Sequence, residues 1–330
     1  MPIEIRRSGA TDRDAALADV REVLAAAERA DGFPAISDQA LLAAAQGRRE
    51  VLLAMQTTPS DGTRTAAVGI LGEGELDLAV HPADRSRGVG TRMLDALLRT
   101  DATGTGRAPH GASDGGEPHE LRAWAHGENP AAQALLARAG FAPARSLLRL
   151  ALDPAQLPEA IAGARPLPDG FALRAFDPAR ADDASDWVRV NAAAFASHPE
   201  QGGVTLDDFA ATRQEPWFDA DDLILAFAPA DAPDGAGELA GYTWIKTLHH
   251  DGDAGSAPST ETELYVLGVG PGFAGRGLGA ALLGETLRRM AAHRPDRITL
   301  YVDGDNENAL ALYERAGFTI DQLSTQWVRR

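Results

Sequence analysis

The sequence predicts an α/β protein of two tandem domains, each a mixed α+β module built on one sheet. Three observations carry this. The chain contains an internal duplication, each copy runs from a β-rich stretch through a glycine loop into a helix-period stretch, and the composition is that of an ordinary globular protein. A length of 330 residues suits two domains with a buried core each.

The duplication has two elements in the same order. LDLAVHPADRSRGVGTRMLDALL, from Leu76, matches LYVLGVGPGFAGRGLGAALLGETL, from Leu264, with Val80, Pro82, Gly88 and Gly90 falling on Val269, Pro271, Gly277 and Gly279. NPAAQALLARAGF then matches NENALALYERAGF, with Asn129, Arg138, Gly140 and Phe141 falling on Asn306, Arg315, Gly317 and Phe318. The first copy carries a longer connection rich in Gly, Ser, Pro and Asp, Thr103 to His119, which reads as a mobile surface loop. Prolines 154, 158, 166 and 168 interrupt the pattern between the copies. The expected domains are therefore 1–155 and 170–330, with 156–169 as linker. In the second copy, strands are expected at Phe171–Phe176, Leu223–Ala228, Leu239–Thr247, Thr262–Val269 and Ile298–Val302, and a helix at Ala184–Ala196.

Composition excludes several function classes. A formal net charge of −17 leaves no basic footprint for nucleic acid, so an anionic cofactor has to be held by local geometry. The absence of cysteine removes disulfides, thiolate metal sites and a cysteine nucleophile. No apolar stretch is long enough to span a membrane, and Met-Pro-Ile-Glu-Ile-Arg-Arg has no signal-peptide core. A cytoplasmic monomer acting on small molecules, without a nucleic-acid or membrane partner, is the expectation. His249-His250-Asp251 has metal-ligand residue types but reads as a polar loop, and no metal is expected.

The repeated loop carries the first functional signal. Glycines between a strand and a helix let backbone N–H groups approach a ligand, and the first helical turn offers unpaired N–H groups and partial positive charge. Together they suit a pyrophosphate. Arg85, Arg87 and Arg276 add local charge. Gly270, Gly272 and Gly275 spell GxGxxG, but the equivalent stretch His81–Ser86 has no glycine, so the dinucleotide fingerprint is a coincidence. No Gly-Lys-Ser/Thr follows either loop, which excludes a Walker motif.

These segments resemble the acetyl-CoA-binding signature of the GNAT acetyltransferase superfamily, Arg/Gln-x-x-Gly-x-Gly/Ala. Arg85-Ser86-Arg87-Gly88-Val89-Gly90 fits it fully, and Ala274-Gly275-Arg276-Gly277-Leu278-Gly279 departs only at Ala274. The resemblance covers both halves. It implies tandem GNAT-type domains, acetyl-CoA as co-substrate, and a V-shaped sheet opened between its fourth and fifth strands. It also implies acetyl-CoA contacts from Leu78, Ala79, Val80, Arg85, Arg87, Gly88, Val89 and Gly90 in the first copy. In the second copy the implied contacts are Leu267, Gly268, Val269, Gly275, Arg276, Gly277, Leu278, Gly279, Ala280, Asn306, Asn308 and Ala309.

Amine acetylation needs a base for the amine and an acid for the departing thiolate. The second copy has candidates for both: Glu263 aligns with Gly74, and Tyr313 with Leu136. Glu263 also reads as a solvated strand-end charge, and Tyr313 as a packed aromatic on a helix capped by Gly317. Related transferases place their thiolate-protonating tyrosine at this helix position. The first domain is therefore expected to be non-catalytic.

A narrower resemblance runs through NAAAFASHPEQG from Asn191, then EPWFDADDLILAF, GYTWIK and ELYVLGV. These strings resemble the mycothiol synthases, tandem GNAT enzymes that acetylate the cysteinyl amine of cysteinyl-glucosaminyl-inositol. That family's substrate contacts fall on Asp38, Glu200, Lys246, Glu263 and Tyr301. Asp38 equally reads as the first residue of a helix in SDQAL. Two other functions stay open on these residues: a tandem acetyltransferase for another small amine, and a non-catalytic acetyl-CoA-binding sensor.

Overall fold

The computed structural model describes residues 3–58, 62–102, 120–196, 201–229, 237–251 and 257–330. The connection 103–119, expected as a surface loop, and Glu200 lie outside the described residues. The chain divides into two compact units, Met1–Leu147 with Gln322–Arg330, and Leu148–Asp321. The last strand of each copy thus belongs in part to the other copy's unit.

In the first unit, strands β1 (Ile3–Arg7), β2 (Glu50–Thr58), β3 (Gly62–Gly72), β4 (Glu75–Val80) and β5 (Leu121–Ala125) lie in that order. Helices α1 (Arg13–Asp31), α2 (Asp38–Ala45), α3 (Val89–Ala102) and α4 (Pro130–Arg138) cover them. Helix α1 buries Ala16, Leu17, Val20, Val23 and Ala27, a stripe at helical spacing, and ends at Gly32 in the left-handed region. Leu76, Leu94, Leu97, Leu121 and Leu136 share one core, in which Trp327 of the C-terminal strand is also buried.

Strand β6 (Ala142–Leu152) crosses the boundary between the units, and its residues Leu148–Leu152 belong to the second. Helix α5 (Leu157–Ala162) follows within the stretch read as a linker, and Leu157 is buried in the second unit's core. That unit continues with β7 (Ala172–Ala175), α6 (Ala181–Ala194), α7 (Leu206–Thr212), β8 (Leu223–Phe227), β9 (Leu239–His250) and β10 (Ser259–Val269). Then come α8 (Leu278–His293), β11 (Arg297–Asp303), α9 (Glu307–Arg315) and β12 (Thr319–Arg329). The second unit's strand order is β6-β11-β10-β9-β8-β7, and β12 pairs antiparallel with β5 in the first. His249 and His250 close β9 rather than lying in a loop.

Both sheets splay at the equivalent point. The parallel pair β4–β5 is joined only at Glu75↔Arg122 and Leu76↔Ala123, and β10–β11 only from Glu261↔Arg297 to Leu264↔Leu300. Residues 77–80 and 265–269 continue without a parallel partner, which leaves backbone groups on that side open to a ligand. No helix among the described residues is long and apolar enough to cross a membrane.

Candidate active site

The two glycine loops share one backbone conformation. Gly275 and Gly277 have φ of +75° and +84°, while Ser86 and Gly88 have +60° and +78°. A side chain added at Gly88, Gly275 or Gly277 would meet no atom within 4 Å, so each faces open space. Gly277 caps α8, whose first-turn amides at Leu278, Gly279 and Ala280 have no carbonyl one turn back. Leu267, Gly268 and Val269 lie on the splayed end of β10, and Leu78, Ala79 and Val80 on that of β4.

Local charges differ between the loops. Arg85 is taken up by Asp31 in a bidentate pair at 2.6 and 2.7 Å, and its Nε donates to the Val80 carbonyl. Arg87 lies 3.8 Å from the buried Asp84. Arg276 stacks on Phe273, and among the described residues neither it, Arg165 nor Arg315 has a carboxylate partner. A cleft of about 740 Å³ opens beside the second loop, lined by Gly275, Gly277, Ala280, Glu159, Arg165, Leu312 and Arg315. Open glycines, free helix amides and unpaired arginines together fit the pyrophosphate and nucleotide of acetyl-CoA.

Asn306 caps α9, its Oδ1 accepting from the Ala309 N–H at 3.1 Å, as Asn129 does for Ala132 at 3.0 Å in α4. The repeated asparagine is thus accounted for by helix capping, with Asn308 exposed on the same turn.

Lys246, Glu263 and Tyr301 come together on one face of the second sheet. Lys246 stands directly opposite Glu263 in the antiparallel β9–β10 register. Lys246 is buried, and its Nζ lies 5.5 Å from the Trp217 ring centroid. Burial, followed by the Glu263 carboxylate, pushes the Tyr301 hydroxyl up to about 12, while Arg149, which hydrogen-bonds to it, pulls the other way. The four strings that resemble the mycothiol synthases meet here. Asn191, Trp217, Phe218, Tyr242, Trp244 and Tyr265 all belong to or flank one aromatic cluster, with Tyr242 hydrogen-bonded to Asn191 at 2.5 Å. Tyr313 is buried on α9 against Phe318, and burial pushes its hydroxyl up to about 12. Asp38 lies in the first unit, exposed on the first turn of α2, where Ser37 caps the helix.

The alignment of Glu263 with Gly74 does not survive in the sheet. A one-residue bulge at Tyr265 shifts the β9–β10 register, whereas β4 pairs with β3 without interruption. Before the bulge the copies are therefore one residue out of step with the motif after it. Glu75 pairs with Arg122 as Glu263 pairs with Thr299, so Glu75 is the true counterpart. The first unit thus has a carboxylate at this position, but Arg49 binds it at 2.6 Å and also engages Glu73 and Asp77. Burial disfavours the Arg49 charge, yet these carboxylates outweigh it and hold Arg49 above its ordinary value. The position of Lys246 is occupied by Gly72, where an added side chain would strike Arg48 and Arg49.

Sequence reasoning missed Arg149, Arg165 and Trp217. The first lies in the opposite half of the sequence from the residues it meets, so neither motif nor spacing connects them.

A family model described as the Acetyltransferase (GNAT) family matches residues 190–318. The chain is 42% identical over 316 residues to a mycothiol acetyltransferase of Clavibacter michiganensis, covering 94% of this chain and 91% of that one. It is 43% identical to another from Kineococcus radiotolerans, covering 93% and 91%. Among solved structures, a tandem GNAT protein from the clavulanic acid biosynthesis pathway matches with a TM-score of 0.69 at 17% identity, covering 99% and 98%. A GCN5-related N-acetyltransferase from Sphaerobacter thermophilus matches at 0.62 and 21%, covering 99% and 95%. Splayed sheets, open glycine loops and full-length likeness agree, and the chain belongs to the mycothiol acetyltransferase family of acetyl-CoA-dependent GNAT enzymes.

Proposed function

We propose that the second unit transfers the acetyl group of acetyl-CoA to the cysteinyl amine of cysteinyl-glucosaminyl-inositol, the last step of mycothiol biosynthesis. The observation that carries this is the placing of Lys246, Glu263 and Tyr301 on one face, next to the point where β10 leaves β11. Acetyl-CoA supplies an acyl thioester open to direct attack by the amine. Glu263 takes the amine proton, directly or through water, so that nitrogen can bond to the carbonyl carbon as carbon–sulfur breaks. Backbone N–H groups at Leu267–Val269 stabilise the oxyanion. Tyr313 donates a hydrogen bond to the sulfur that leaves. Lys246, Tyr301 and Glu200 bind sugar and inositol oxygens or the ammonium. The cleft at Arg165 and Arg315 takes the nucleotide end of acetyl-CoA.

The first unit, on this reading, is non-catalytic. Its carboxylate Glu75 is consumed by Arg49, and Leu136 replaces the tyrosine. The protein acts as a cytoplasmic monomer, with no nucleic-acid or membrane partner.

The test is CoA release from acetyl-CoA with this acceptor, in wild type, Glu263→Gln and Tyr313→Phe. Losses of about 10²-fold or more in both variants are expected. Wild-type turnover with other small amines but not with this acceptor would reject the assignment.

A further inference from the structure

We propose that Arg149 is a positioning residue of the acetyl transfer: it donates a hydrogen bond to the Tyr301 oxygen and so turns the Tyr301 O–H toward the acceptor, beside Glu263. The inference rests on the acceptor site proposed above. It adds a residue from the last strand of the first sequence copy to the chemistry of the second.

Arg149 is buried, at 8% exposure, which a lone guanidinium does not tolerate. Asp321 holds it from behind, with Nη2 at 2.6 Å and Nε at 2.7 Å from one carboxylate oxygen. Arg297 shares that carboxylate at 3.0 Å, which fixes Asp321 in turn. The same side chain hydrogen-bonds to Tyr301.

The duplication supports the pairing independently. Counterparts of Arg149 and Tyr301 in the other copy are Gln326 and Trp124, and these stand directly opposite each other in the β12–β5 ladder. The repeated strand register therefore puts Arg149 opposite Tyr301. In the first unit the same place holds a glutamine whose buried Nε2 has no hydrogen-bond partner, facing a tryptophan. That unit has no guanidinium to offer and no phenol to receive it.

Elementary hydrogen-bond chemistry gives the consequence. A guanidinium only donates, so the Tyr301 oxygen accepts from it, and the single phenol proton must be given elsewhere. The groups available are the Glu263 carboxylate, whose charge acts on Tyr301, and an oxygen of the acceptor. Without Arg149 the phenol can rotate to donate in other directions and the acceptor loses a fixed donor.

The experiment is a double-mutant cycle of Arg149→Met and Tyr301→Phe, read as kcat and as KM for each substrate. Arg149→Met alone is expected to lower kcat/KM for the acceptor about 10- to 100-fold, with KM for acetyl-CoA unchanged. In the Tyr301→Phe background it should cost less than about threefold, because there is no longer a hydroxyl to aim. Arg149→Lys, which keeps the charge and loses the fork, should recover part of the loss. A second readout needs no turnover. Carbon-13 NMR of the tyrosine Cζ atoms, of which the chain has 4, should show the Tyr301 signal moving in Arg149→Met while Tyr242 and Tyr313 stay fixed. Equal losses in both backgrounds, or an unmoved Tyr301 signal, would overturn the proposal. Wild type inactive toward this acceptor would instead reject the substrate assignment, and the Cζ signal would still decide the hydrogen bond.

Discussion

Removing the Tyr313 hydroxyl is the sharpest probe of how the thiolate leaves. Tyr313 is 8% exposed and packs edge-on to Phe318. Burial pushes it up to about 12, so it is fully protonated at neutral pH. The same shift makes it a weaker acid. Against a free thiol near ~8.5, complete proton transfer from the buried phenol would run uphill by about 5 kcal/mol. A thiolate formed in the same desolvated cleft is raised as well, which narrows that gap. The contribution of Tyr313 is then a hydrogen bond to charge growing on sulfur, and its removal should cost about 10²- to 10³-fold in kcat. Stability should change little in Tyr313→Phe, since the ring keeps its packing against Phe318. The assay is the pH profile of kcat and kcat/KM from about pH 6 to 10, run on both proteins at one temperature. The variant profile should lie lower with its limbs in the same place. A wild-type alkaline limb near about pH 8–9 that vanishes in the variant would refute the reasoning, because Tyr313 would then ionise far below about 12.

Other outcomes follow from contrasts between the units. Gly88→Ala and Gly277→Ala each force a side chain into the left-handed region and should each cost about 1–2 kcal/mol by urea denaturation. Only Gly277→Ala should raise KM for acetyl-CoA, by about tenfold, and equal effects on turnover would contradict the division of labour. Arg49→Met removes a cation shared by the partly buried Glu75 and the buried Asp77, with Arg122 still 3.6 Å from Glu75, and should destabilise the chain by about 1–3 kcal/mol, with kcat unchanged while it stays folded. His126 has a buried, unpartnered Nε2, and burial pushes its imidazole down to about 4. The unfolded chain therefore gains its proton first, and stability should fall as pH drops from about 6.5 toward 4. Because the ring is only half-buried, the loss between pH 7 and 5 should be about 1–2 kcal/mol, and His126→Gln should flatten it in denaturant titrations.

Much of this molecule was legible because its signals are local. The strand at Leu239, the helix ending at His293 and the glycine loops each declare themselves within a short window, through alternation or left-handed glycines. Lys246 and Tyr301 were reachable only through resemblance, and Glu263 through resemblance and a comparison of the copies, since strand pairing that brings them together is not periodic in sequence. Arg149 was invisible for a stronger reason. Its strand leaves the unit of its own copy, and nothing local records that the residues after Leu147 pack elsewhere. The bulge at Tyr265 misled the alignment in a specific way. An ungapped match anchored on the glycine loop carries its register back through the bulge, and the strand face before it comes out wrong by one residue.

If the first unit is non-catalytic as proposed, that bulge also predicts that one substitution will not make it active. Leu136→Tyr would restore the phenol position, at the cost of overpacking a core where Leu136 is 5% exposed. The base would still be absent, because Glu75 is bound by Arg49 within a buried ion-pair network. Removing Arg49 would not free Glu75, since Arg122 lies 3.6 Å from the same carboxylate, and Gly72, in the place of Lys246, has the Arg48 carbonyl 3.0 Å from any side chain added there. Even a freed carboxylate would sit on a regular strand, without the extra residue that in β10 puts Tyr265 and Val266 against the same aromatic cluster. In a Glu263→Gln/Tyr313→Phe background, Leu136→Tyr should therefore add no CoA release above the double variant. Recovery of turnover on that single change would mean that the sheet register and the Arg49 pairs are not what silences the first unit.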